Sequence, residues 1–185
     1  MNVLVTGGLG FIGSHLCAAL VERGHTVVAL SNRCHPQGLG TLPKVIVAHG
    51  DVRYLDDLAP FMPRIALCYH LAALINVDQS AMNPQAFYDT NVAGTLNVLE
   101  ACKKNGVKFV YASSSEVYGS AQSETMDETH PIAPQSLYGS SKAAADLLVQ
   151  TYGRTYDINW VTLRPFNTSG PGQSAGSGLS ENPPP

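Results

Sequence analysis

The sequence predicts an α/β protein built on a doubly wound parallel sheet, with six recognisable strands and helices on both faces. Three observations predict it. Short runs of β-type apolar residues alternate with stretches of helical spacing along the 185 residues. The strand runs, such as Val3-Leu4-Val5 and Val45-Ile46-Val47-Ala48, are apolar at consecutive positions, which fits burial on both faces. A glycine-rich turn joins the first strand to the first helical stretch. Strands that each lead into a helix imply right-handed crossovers and a sheet covered on both sides.

Taken in order, residues 3–5 are the first strand. Residues 11–23 place Ile12, Leu16, Ala19 and Leu20 at helical spacing and stop at Gly24. Residues 26–30 read as the second strand and 45–48 as the third, after a Pro/Gly-rich connection. Residues 55–61 suit a short helix, with Asp56 and Asp57 favourable near its start. Residues 66–71 form the fourth strand. Pro84 suits the first turn of a helix running to about residue 104, where Lys103 and Lys104 complement the helix dipole. Residues 109–112 are the fifth strand, 136–156 a long helix and 160–163 the sixth strand. A chain of this length supports one well-buried core and not two substantial domains. Residues 168–185, TSGPGQSAGSGLSENPPP, hold one large apolar residue, Leu179, too little to offset the entropy of ordering. A flexible tail is expected there; the start of a substrate-side segment is the other reading.

Composition narrows the function. The apolar share is 44% and the charged share 14%, ordinary for a globular protein. Net charge is −3, which gives no polybasic surface for nucleic acid or an anionic membrane. No apolar run approaches the ~18 residues of a spanning helix. Met1 to Thr6 carry no charged leader followed by a long apolar stretch, so no secretion signal is legible. Cys17, Cys34, Cys68 and Cys102 form no C-x-x-C pair and are expected to be reduced thiols of a cytoplasmic protein, three of them core filler. His15, His25, His35, His49 and His130 have no ligand spacing, and no metal is expected.

The turn Gly7-Gly8-Leu9-Gly10-Phe11-Ile12-Gly13 satisfies both G-x-x-G-x-x-G and G-x-G-x-x-G between a strand and a helix. Glycine is needed for the tight turn, for close approach of backbone to a pyrophosphate, and for close packing of helix on strand. The helix start presents amides and a positive dipole to phosphate. This makes residues 1–167 a dinucleotide-binding Rossmann domain, with Gly7, Gly10, Phe11, Ile12 and Gly13 around the phosphates. An acid usually ends the second strand and bonds the ribose 2′-OH. Here the chain reads Ser31-Asn32-Arg33. Arg33 can pair with a 2′-phosphate, which opens NADP; Ser31 or Asn32 can bond a 2′-OH, which keeps NAD. Arg33 reads equally as a solvated loop cation.

Tyr138 and Lys142 stand at i and i+4 on one helix face. A phenol near pKa 10 is a poor base at neutral pH, and a nearby ammonium together with a positive nicotinamide ring favours tyrosinate. About twenty residues upstream the fifth strand runs into Ser113-Ser114-Ser115-Glu116-Val117-Tyr118-Gly119, at the carboxyl edge where ligands of such sheets bind. A serine there can bond the substrate oxygen beside the tyrosine.

The set TGGLGFIGSHL, HLAA from His70, TNVAGTLNVLEA around Asn91, SSSEVYG, YGSSK and LRPFN from Leu163 resembles extended short-chain dehydrogenases/reductases, in particular the nucleotide-sugar epimerase/dehydratase branch, over residues 1 to about 172. The resemblance implies Ser114, Tyr138 and Lys142 as the catalytic group, Asp51 and Val52 as adenine contacts, and Leu71, Ala72 and Ala73 as a wall along the cofactor. It also implies Asn91 as a positioning polar group and Phe166 and Asn167 beside nicotinamide and sugar, with Ser115 on the substrate side. Dehydratases of the family carry Asp-Glu where this chain has Ser115-Glu116; decarboxylases and some epimerases have a comparable Glu. Glu116 is therefore a catalytic candidate, or a solvated loop acid. The implied chemistry is NAD(P)-dependent epimerisation of a nucleotide sugar. A uronate decarboxylase or sugar dehydratase is the alternative within the family, and a cofactor-binding fragment without catalysis the alternative outside it. A homodimer through the helices around 84–104 and 136–156 is also implied.

Overall fold

In the computed structural model, which describes residues 1–33, 39 and 42–173, the six strands are all parallel. They are β1 (Asn2–Thr6), β2 (Thr26–Ser31), β3 (Val45–His49), β4 (Leu67–His70), β5 (Lys108–Ala112) and β6 (Trp160–Leu163), in the order β3-β2-β1-β4-β5-β6. The order reverses between β1 and β4. The chain leaves β1 toward β2 on one side and returns to β4 on the other, so a crevice opens at their carboxyl ends.

The sheet's pleat divides the core in two. Leu4, Val28, Leu30, Cys68, Phe109 and Tyr111 point to one face and pack with Leu58, Val98, Leu99, Ala145 and Val149. These belong to α2 (Leu55–Leu58), α5 (Gly94–Asn105) and α6 (Leu137–Tyr156). Val3, Val5, Val27 and Ala29 point the other way, onto Cys17 and Leu20 of α1 (Phe11–Glu22). α1 covers β1 and β2 on its face; further along that face Val161 and Leu163 of β6 are 48% and 52% exposed. Cys17, Cys68 and Cys102 are buried thiols, and burial pushes Cys17 up to about 12. Cys34 lies outside the described residues.

Three helix expectations need correction. The helix expected from Pro84 to residue 104 is preceded by α3 (Val77–Met82) and is itself divided into α4 (Pro84–Tyr88), a wide π turn (Asp89–Ala93) and α5. Side chains explain the breaks. Asn76 caps α3 by accepting from the Gln79 amide, Asn83 caps α4 by accepting from the Ala86 amide, and the Thr95 hydroxyl donates to the Asn91 carbonyl inside the widened turn. The helix expected over 55–61 stops at Leu58 and gives way to a 3₁₀ turn, Met62–Arg64, that carries Pro63 in its first positions. Ser136 is the cap of α6, not its first residue, and accepts from the Gly139 amide at 2.9 Å. Residues 168–173 are exposed or half-exposed; the rest of the expected tail, 174–185, lies outside the described residues.

Candidate active site

The glycine turn is fixed by contact of backbone with backbone. Gly7 has φ +69°, and a Cβ there would lie 2.8 Å from the Ala72 nitrogen. A Cβ on Gly13 would lie 2.2 Å from the Gly7 oxygen. The turn is thus pressed onto Leu71 and Ala72 at the end of β4. Gly10 is the helix cap, with no side chain bonded to the amides behind it and no acid in the first turn. The amides of Phe11, Ile12 and Gly13 have no intrahelical acceptor, and the dipole adds positive charge there. A pyrophosphate fits this cradle.

At the end of β2, Ser31 Oγ accepts from the Arg33 amide at 3.1 Å, and Asn32 Nδ2 donates to Asp51 Oδ2 at 3.1 Å. The Arg53 guanidinium pairs with Asp51 at 2.7 Å, and its bond is the main reason that this carboxyl is lowered to about 2. Asp51 therefore stands beside Asn32 as a carboxylate. Val52 is buried, and its carbonyl accepts from Asn97 Nδ2 at 3.0 Å.

The catalytic candidates gather at the carboxyl end of β5. Tyr138 and Lys142 lie one turn apart on α6 and are 9% and 3% exposed. Lys142 Nζ donates to the Ala112 carbonyl at 2.6 Å and sits 4.5 Å from the centre of the Tyr111 ring. Burial pulls this ammonium down to about 7, against the attraction of Asp146. Ser114 Oγ accepts from the Glu116 amide at 3.2 Å and caps a 3₁₀ turn, Ser115–Val117. Burial raises the Tyr138 phenol above its ordinary value; the Ser114 hydroxyl opposes that rise and Glu116 adds to it. Within the chain itself, burial is the largest influence on Tyr138, while the Lys142 ammonium donates to the Ala112 carbonyl. Ser115, Glu116 and Phe166, with Met126 and Gln135, line a concavity of about 270 Å³, and Phe166 is 58% exposed beside it. Asn167 follows in an exposed stretch.

Asn91 is bonded to the loop that follows β4. Its Oδ1 accepts from the Leu74 amide at 2.8 Å, and its Nδ2 donates to the Leu74 carbonyl and to Ser141 Oγ, both at 2.9 Å. It thereby fixes the loop that contains Leu71, Ala72 and Ala73 against α6. Among the described residues no cluster of three His, Cys, Asp or Glu could hold a metal, and no helix is long and apolar enough to cross a membrane.

Residues 3–182 match the NAD-dependent epimerase/dehydratase family. The chain belongs to that family. It is 40% identical over 172 residues to a putative UDP-glucose 4-epimerase of Methanocaldococcus jannaschii, covering 91% of this chain and 56% of the relative. It is 36% identical over 184 residues to a dTDP-glucose 4,6-dehydratase of Streptomyces antibioticus, covering 94% and 55%. The structure of a Thermus thermophilus UDP-glucose 4-epimerase in complex with NAD superposes with a TM-score of 0.86 at 38% identity, over 94% of this chain and 58% of that one. The chain spans about half the length of the curated relatives it matches.

Within this epimerase/dehydratase chain, sequence reasoning misses two polar groups. Asp146, one turn beyond Lys142, is fully buried; Ser113 Oγ, Gln150 Nε2 and Arg164 Nε donate to it at 2.7, 2.7 and 2.8 Å. Arg164 also donates to the Tyr118 hydroxyl at 3.0 Å, so the cluster ties the Ser113–Glu116 loop and the end of β6 to α6. The second group centres on His70, which the sequence marks only as part of HLAA. An acid at i+4 from Lys142 was the available signal for the first; the second had none.

Proposed function

We propose that this chain supplies the cofactor-binding and proton-transfer part of a nucleotide-sugar epimerase that works on a sugar carbinol with NAD or NADP. The observation that carries the reading is the gathering of the glycine turn, Ser114, Tyr138 and Lys142 at the carboxyl ends of β1, β4 and β5, where ligands of doubly wound sheets bind. The amides of Phe11, Ile12 and Gly13 would hold the pyrophosphate, Ser31, Asn32, Arg33, Asp51 and Val52 the adenosine end, and Leu71, Ala72 and Ala73 the length between. When bound, the nicotinamide supplies hydride acceptance and return at the carbinol carbon.

The chain's own residues handle the proton. Tyr138, as the phenolate, accepts it at Oη from the sugar hydroxyl and becomes the neutral phenol, and Ser114 Oγ holds the sugar oxygen by hydrogen bond. Because burial favours the neutral phenol, proton uptake requires a cation close to it; Lys142, on the same helix face, is the chain's own source. Ser115, Phe166 and Asn167 would border the sugar. Free buried cysteines support a cytoplasmic location. Leu96 on α5 and Leu147 on α6, 39% and 51% exposed, support a homodimer through those helices.

Tyr138→Phe should cut UDP-sugar turnover by about 10²–10⁴-fold and leave NAD affinity in calorimetry within about twofold. Unchanged turnover overturns the mechanism. NAD binding with no UDP-sugar binding by the wild-type chain favours a cofactor-binding fragment instead. A second reading rests on Glu116 in the substrate-side concavity. It makes the chain part of a UDP-uronate decarboxylase or a sugar dehydratase, and CO2 release from a UDP-uronic acid distinguishes the first of these.

A further inference from the structure

His70, at the end of β4, is 1% exposed and has both ring nitrogens engaged. Nδ1 lies 2.6 Å from Thr6 Oγ1 and Nε2 lies 3.0 Å from Thr95 Oγ1. The protons can be assigned by elimination. The Asn91 carbonyl can only accept, so the single Thr95 hydroxyl proton goes to it, at 2.6 Å. Thr95 Oγ1 must then accept from His70, which places a proton on Nε2. A neutral imidazole has one donor, so Nδ1 is bare and accepts from the Thr6 hydroxyl. Thr6 Oγ1 in turn accepts from the Ala72 amide at 3.3 Å. The four bonds then run with one polarity, from Ala72 through Thr6, His70 and Thr95 to Asn91.

The line does not stop there. The Asn91 amide donates to Ser141 Oγ at 2.9 Å, and the Ser141 hydroxyl donates to the Tyr138 carbonyl at 2.7 Å. One end is the cofactor wall against which Gly7 packs; the other is the first turn of the catalytic helix. Burial and the nearby Lys142 charge both oppose a second proton on the ring. Phe109 and Tyr111 of β5 pack on the imidazole at 5.9 and 5.8 Å, and the facing ionisable group is the Lys142 ammonium of α6. A second ring proton would also point a donor at Thr6 and break the order of the line.

We propose that His70 is a positioning residue, a neutral Nε2-protonated imidazole that sets the spacing between the dinucleotide wall at Ala72 and the Tyr138–Lys142 pair through Thr95 and Asn91. It is sealed from solvent and does not exchange protons with a substrate. The proposal rests on the reading of Tyr138 and Lys142 as catalytic only for its consequence in turnover; the fixed tautomer stands separately.

Two measurements test it on the full chain. Nitrogen-15 NMR of the histidine rings should show His70 protonated at Nε2 and bare at Nδ1, unchanged from pH 8 to pH 5. A proton on Nδ1, or titration in that range, overturns it. Thr95→Val removes the acceptor for Nε2–H, while Thr95→Ser keeps it. Thr95→Val should speed exchange of the distant Ala72 amide and weaken NAD binding, each by about tenfold, the effect of one lost buried bond, and Thr95→Ser should restore both. A merely local role would leave Ala72 exchange and the tautomer unmoved in Thr95→Val, and that result overturns the proposal. If Thr95→Val does not fold, the wild-type tautomer still decides. Unchanged turnover in Thr95→Val, alongside faster Ala72 exchange and weaker NAD binding, would count against the catalytic reading of Tyr138 and Lys142 and not against His70.

Discussion

The glycine turn after β1 and the cluster around Asp146 lie at the same edge of the sheet and are held by different forces. At the turn, backbone meets backbone, and any Cβ on Gly7 or Gly13 would come within 2.8 or 2.2 Å of main-chain atoms. At the cluster, a carboxylate without exposure collects donors from three elements. The turn is a steric device whose residue types are dictated within one short segment. The cluster is an electrostatic one whose partners are 33 and 18 residues apart. Steric constraint dictates residue type locally. Electrostatic constraint dictates only that some donor arrive from elsewhere in the chain.

Of the two regions, the polar cluster should be the costlier to break. Asp146→Ala leaves Arg164, Ser113 and Gln150 facing a buried void, and should lower stability by roughly 3–5 kcal/mol in denaturant unfolding. Burial alone would raise the Asp146 carboxyl, but the bonds from Arg164, Ser113 and Gln150 outweigh it and leave it below the ordinary carboxylate value. Its contribution is therefore complete above the unfolded carboxylate range near pH 4 and is lost as pH falls through the lower folded value. The wild type should lose stability on acidification in that window, and the variant should lose less.

Gly13→Ala tests the other region. Alanine is the better helix former, but its methyl would sit on the Gly7 oxygen, and the net cost should be about 2 kcal/mol, within the range of overpacking. NAD affinity should fall far more than stability does, because the amides proposed to hold the pyrophosphate move. If Gly13→Ala costs more stability than Asp146→Ala, the division of labour drawn between the two regions is wrong.

The same division explains what could be read beforehand. Glycines at 7, 10 and 13 between a strand and a helix announce a turn without any knowledge of the rest, and the six strands announce themselves by apolar runs. The Tyr138–Lys142 pair is legible because both lie on one helix face. Asp146, Arg164, His70, Thr6 and Thr95 are ordinary residue types in ordinary helices and strands, and their meaning arises only when β1, β4, α5, α6 and β6 are brought together. The widened turn at Asp89–Ala93 escapes the sequence pattern for the same reason: it is stabilised by Leu74 and Ser141, at sequence distances no helical pattern records. Lys142 shows the limit from the other side. Its spacing to Tyr138 is legible, but its bond to Ala112, a backbone acceptor 30 residues away, is not.

Lys142 sits where the two regions meet and gives the smallest and most discriminating effect on stability. Its folded value near 7 lies below the unfolded value of about 10.4, so the native chain binds fewer protons than the unfolded chain between them. Below pH 7 both states carry the charge, and the native state bears the full cost of burying it; that cost is relieved as pH rises toward the unfolded value. The wild type should therefore gain about 1–2 kcal/mol between pH 7 and pH 9, a window in which Asp146 stays ionised. Lys142→Met, similar in length and uncharged, should be the more stable protein at pH 7 and should show a flat profile over that range, while losing turnover. If the wild-type profile is flat too, Asp146 and the Tyr111 ring stabilise the ammonium as fully as water does. α6 would then be anchored by a satisfied charge rather than by one that its surroundings only tolerate.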